Sequence, residues 1–141
     1  MWSFKRSLRS ALASEAKAYG FTLVIWGTGA MVVGNQGFPS PFQVFAFVGG
    51  ALTAMALVLM IAFGDLRRPW REEDPERYAF GAIHIVSVVS ALLVAWGSSG
   101  IVFGTAVFFI VPFLAVLTHQ MVLAVEIRLS LDRRSTREEQ G

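Results

Sequence analysis

AYGFTLVIWGTGAMVVGNQGFPSPFQVFAFVGGALTAMALVLMIAFG, residues 18–64, contains no Asp, Glu, Lys or Arg. A second charge-free block runs from Tyr78 to Val125. The blocks are 47 and 48 residues long, and one membrane crossing needs about 20 apolar residues. Each block therefore suits two crossings joined by a tight turn. Gly34-Asn35-Gln36-Gly37-Phe38-Pro39-Ser40-Pro41 supplies a turn in the first, and Gly97-Ser98-Ser99-Gly100 in the second. Four membrane helices are predicted, roughly 18–34, 42–64, 77–96 and 101–125. Neither block alternates as a membrane β-strand does, and both are far too continuous for one.

Composition agrees. The chain is 55% apolar and 16% charged, against about a quarter charged in soluble domains, and its mean hydropathy is +0.58. The twelve Lys and Arg occupy three places: Lys5, Arg6, Arg9 and Lys17; Arg67, Arg68, Arg71 and Arg77; Arg128, Arg133, Arg134 and Arg137. An even number of crossings puts all three on one side, which the positive-inside rule makes cytoplasmic. The expected fold class is an all-α integral membrane protein, a four-helix transmembrane bundle with both termini inside and short, uncharged outer turns. The expected location is the cell membrane. The sequence pI near 9.5 then reflects topology and attraction to anionic inner-leaflet lipids, not nucleic-acid binding. Ala11-Leu12-Ala13 resembles a cleavage tripeptide but precedes the apolar stretch, so no cleavable signal is expected. Cysteine is absent, which removes disulfides and thiolate metal sites.

Residues 1–17 are basic, with Phe4, Leu8 and Leu12 at helical spacing. They read either as an amphipathic helix on the inner surface or as an extension of helix 1 held by snorkelling Lys and Arg. The domain of helices, 18–128, is interrupted by a charged loop at 65–76, with Trp70 as an interfacial anchor. Residues 129–141 read as a mobile charged tail.

Helix 3 attracts most attention. Asp74 can cap it, Pro75 fits its first turn, and His84, Ser87, Ala91, Ala95 and Ser98 form one polar-to-small stripe. That stripe predicts a face turned to protein, with helix 3 organising the bundle. Gly27 and Gly29 in helix 1, Gly50 and Ala54 in helix 2, Ala91 in helix 3, and Gly100 and Gly104 beside the second turn are expected at close helix crossings. Pro112 interrupts helix 4 near mid-membrane. VIWGTGAMVVG (24–34) matches VAWGSSGIVFG (94–104) at five of eleven positions, but the two lie at different depths, so no repeat is inferred.

Ionisable groups inside a bilayer are functional candidates. His84, His119, Glu126 and Glu15, with Ser87, form a possible inner-side polar cluster for a proton or cation. The competing explanation is that the histidines are neutral and hydrogen-bonded within the bundle. Counting back from the outer turn puts His119 about six residues nearer the inside than His84, roughly 9 Å of rise, which disfavours a shared haem. No triad, paired carboxylates or phosphate loop occurs. There is no set of zinc-ligand spacings either, so no catalytic residue, metal or cofactor is expected. The chain is read as non-enzymatic, an accessory or interaction subunit that assembles with itself or with a larger membrane protein. An oligomeric channel or transporter working through His84 is the alternative, with a haem-binding anchor a distant third.

Overall fold

The computed structural model describes residues 2–63 and 84–138, with side chains placed for 19–61, 85–126, 128 and 129. Four helices carry the fold: α1 (Trp2–Gln36), α2 (Pro41–Phe63), α3 (His84–Ser99) and α4 (Val107–Glu138). A short 3-10 turn, Gly104–Ala106, leads into α4. No strand occurs among the described residues. Pro41–Ile61 and Gly104–Glu126 are each long and apolar enough to cross a membrane. The expected cap at Asp74 and Pro75, Trp70 and the loop at 65–76 lie outside the described residues.

The first turn is built from local chemistry. Gly37 ends α1 at φ 85°, a left-handed conformation that costs other L-residues about 1–2 kcal/mol. Its N–H donates to the Val33 carbonyl at 2.8 Å, an αL helix stop followed two residues later by Pro39. Ser40 then starts α2 with a capping box. The Ser40 N–H donates to Gln43 Oε1 at 2.8 Å, and the Gln43 N–H donates to Ser40 Oγ at 3.4 Å. Pro41 takes the first helical position, where no N–H is needed. Ser40→Ala is expected to cost about 1 kcal/mol, read as a lowered melting temperature.

The second turn falls later than expected. Gly97, Ser98 and Ser99 stay helical, and both serines bond back to their own helix. Ser98 Oγ donates to the Val94 carbonyl at 2.6 Å, and Ser99 Oγ to the Trp96 carbonyl at 2.9 Å. The chain turns only at Gly100 and Ile101, where the N–H groups of Ile101 and Val102 both donate to the Ser98 carbonyl. Gly104 closes the turn at φ 74°. Segments 24–34 and 94–104 therefore differ: the first lies wholly inside α1, the second crosses a helix end and a turn.

Two further boundaries move. Residues 2–17 continue α1 without a break, so the element has no end at residue 18. At the other end, α4 continues to Glu138. Between Gln120 and Glu138 there is no Gly or Pro to stop it.

Side-chain packing sets the order of the helices. Asn35 meets Ser99, Gly27 meets Leu92, and Gly20 meets Val88. α1 and α3 thus run in the same direction. α4 runs against both, so the start of α1 and the end of α4 lie at one end, opposite the two turns. Val24 and Val32 of α1, Ala91 and Ala95 of α3, and Val107, Phe108, Val111 and Ala115 of α4 form one buried core. α2 packs on another side of α4, through Ala51, Ala54 and Val116. Among the described residues its backbone stays apart from α1 and α3, while Phe21 and Ile25 of α1 pack against the same cluster.

The organising helix is therefore α4, not helix 3. α3 has one packed face, Ser87, Ala91, Ala95 and Ser99, while Ile85, Val89, Leu93 and Trp96 are exposed. α4 presents a second packed face and contacts all three other helices. A polar-to-small stripe reveals that a helix has a packed face; it does not reveal how many.

Candidate functional site

His119 is the buried ionisable group of the core, 2% exposed on α4. It sits where α1, α3 and α4 meet. A methyl group added at Gly20 would lie 3.6 Å from both His119 Cε1 and Val88 Cγ2, an ordinary contact, which places the ring beside α1 and α3. Ser87, next to Val88, is fully buried. Gln120 turns the other way, and its Nε2 donates to Met55 Sδ on α2 at 3.3 Å. At this level α4 therefore reaches every other helix.

Glu126 follows His119 by two turns on the same face. It is half-buried, and its Oε2 is enclosed without a hydrogen-bond partner. Seven residues separate the two groups along the axis, about 10 Å, so they do not meet at one point. Glu15 lies on α1 five residues before Gly20. Its backbone is about 8 Å nearer the termini than the His119 contact, and its side chain lies outside the described residues.

The histidine depths are reversed from expectation. His84 is the first residue of α3, four residues before Val88, whose side chain shares the level of the His119 ring. Its backbone is thus about 6 Å nearer the termini than that ring. The sequence count erred because Ser98 and Ser99 remain helical and α4 starts only at Val107. The His84 side chain lies outside the described residues. Among the described residues no group of three His, Cys, Asp or Glu could hold a metal ion.

Two buried polar groups escaped the sequence reading. Thr28 of α1 is fully buried, and its Oγ1 has no hydrogen-bond partner. Its spacing of four from both Val24 and Val32 was the signal that could have placed it inward. Ser99, 1% exposed, accepts a hydrogen bond from Asn35 Nδ2 at 2.9 Å, tying the ends of α1 and α3 together beside the turns. Continuing the i+4 run from Ser87 through Ala91 and Ala95 leads to Ser99 rather than Ser98.

The proposed crossing points separate into two kinds. A side chain at Gly50 would collide with the Phe109 backbone, and one at Gly27 with the Leu92 side chain. Ala54 and Ala91 are fully buried, and a methyl group added at Gly29 would lie 3.7 Å from the Phe47 ring, an ordinary contact. Gly100 and Gly104 meet no other helix. They shape the turn instead, since the chain is still reversing there.

No known protein family, curated protein or solved structure matches the chain.

Proposed function

We propose that this chain is a multi-pass membrane protein acting as an accessory or interaction subunit of a membrane assembly, paired with itself or with a larger membrane protein. The observation that carries the reading is the inverted distribution of side chains. Thr28, Ser87, Ser99 and His119 are buried, together with Ala and Val, while Trp26, Phe45, Leu52, Ile61, Leu93 and Trp96 are more than half exposed. In water so extensive an apolar surface would associate; in hydrocarbon it is solvated, and small and polar residues belong at helix contacts. By the distribution of Lys and Arg the termini face the cytoplasm, where anionic lipids would attract them.

The second reading, an oligomeric channel or transporter, draws on His119 and Ser87, both buried. Against it, the core on the turn side of His119 is filled by fully buried Val24, Val32, Ala91, Ala95, Val107 and Val111. Among the described residues these apolar side chains outnumber the buried polar ones there, Thr28 and Ser99. The subunit reading is therefore preferred.

Purification in mild detergent tests it, coupled to ion-flux measurement in liposomes. A partner or second copy at fixed stoichiometry, with no flux from the chain alone, is expected. Flux that disappears on His84→Ala or His119→Ala would instead establish the channel reading.

A further inference from the structure

α1 continues unbroken from Trp2 to Gln36, so the face found near its middle can be followed to its start. Tyr19 and Leu23 are exposed, while Gly20, Val24 and Thr28 are buried against the other helices. Leu12 precedes Tyr19 by seven residues (19 − 12), close to two helical turns. Leu8 and Phe4 continue that row at a spacing of four. The three apolar residues therefore fall on the face of α1 that is turned away from α3 and α4. Arg6 and Ala13 precede Gly20 by fourteen and seven residues and fall on the packed side.

The row also lies beyond the apolar span. In α4 that span ends at Glu126, seven residues past His119, and His119 stands beside Gly20. Seven residues back from Gly20 is Ala13, so the row continues from that level for about 14 Å more. Lys5, Arg6 and Arg9 interleave with it.

An apolar row on a helix standing in water calls for cover. Laying the segment flat on the bilayer would supply it, but helices bend sharply at Pro or Gly, and residues 2–19 contain neither. A second copy is opposed by charge. Two copies inserted in the same orientation would bring their first segments together, and residues 2–17 carry a net charge of +3 (Lys5, Arg6, Arg9 and Lys17 against Glu15, 4 − 1). Charges flanking a helix seam select the partner of opposite sign.

We propose that Phe4, Leu8 and Leu12 dock a helix of a different membrane protein, one that leaves the bilayer beside α1 and carries Asp or Glu next to its own apolar row. Lys5 and Arg9 directly follow Phe4 and Leu8, so they edge the row and set the charge of the partner. Tyr19 and Leu23 carry the same face into the bilayer, where lipid solvates it; the row outside has no such solvent. The proposal rests on the subunit reading above and gives that subunit its docking element.

Site-directed cross-linking of the full chain in its native membranes tests this. The chain has no cysteine, so Leu8→Cys and Ser10→Cys each give it a single thiol for a benzophenone maleimide, one on the row and one on the opposite side. The probe at position 8 is expected to join one other polypeptide, beside a membrane-spanning segment of that protein and at residues that include Asp or Glu. The probe at position 10 should not. Lys5→Glu combined with Arg9→Glu should lower the yield about tenfold, a loss of about 1.4 kcal/mol, while circular dichroism and membrane attachment stay unchanged. Equal adducts from both positions would overturn the proposal, as would a yield indifferent to the charge reversal. So would an adduct with lipid, with a second copy, or with residues 64–83 of the same chain. A partner that co-purifies in mild detergent but cross-links only elsewhere would remove this docking row and leave the subunit reading standing. A chain that purifies alone would remove both.

Discussion

Gly50→Ala is expected to loosen α2 from the rest of the molecule, while Gly49→Ala, one residue earlier, leaves the fold intact. A Cβ at Gly50 collides with the Phe109 main chain, which cannot rotate away as a side chain can. The α2–α4 contact is the main attachment of α2 among the described residues, so its backbone spacing has to widen. Overpacking of this kind costs about 3 kcal/mol, enough to shift an unfolding equilibrium more than a hundredfold. At Gly49 the added methyl lies 3.9 Å from the Phe109 ring, an ordinary contact. Unfolding titrations of the two variants in detergent should therefore separate clearly. If they coincide, the close approach of α2 to α4 at this point is wrong.

His119→Ala is expected to be the second large loss, about 3 kcal/mol. Removing the ring empties the junction bounded by Gly20 and Val88, and a glycine on the facing helix has no side chain with which to refill it. His119→Met restores much of the volume without the polar atoms, so it should recover most of that loss, to within about 1.5 kcal/mol. Melting curves of the three proteins decide the matter. A methionine variant as damaged as the alanine variant would mean that polarity, rather than packing, dominates at this position. That result would strengthen the proton or cation reading of the His119–Glu126 face.

Both predictions turn on contacts that no local pattern announces. Gly49 and Gly50 are identical neighbours in the sequence, and only the direction of Phe109 makes one of them indispensable. Gly20 stands alone near the start of the first apolar block; that it lies beside His119 is decided by the fold. Gly100 and Gly104 show the reverse: their four-residue spacing suggests a helix crossing, but they lie in a turn.

What the sequence determined by itself is what depends on near neighbours and on solvation. The charge-free blocks mark apolar helices because backbone groups away from water must bond within their own segment. Gly37, Pro39, Ser40 and Gln43 specify the first turn because each acts within four residues of its own position. The packed face of α3 is legible because Ser87, Ala91 and Ala95 repeat at the helical period. Only the tertiary structure decided that α4 is the central helix and that His84 lies nearer the termini than the His119 ring. A helix crossing is set by how closely two backbones approach and at what register. A single residue displaced at a turn shifts every later side chain by 1.5 Å along the axis and about 100° around it.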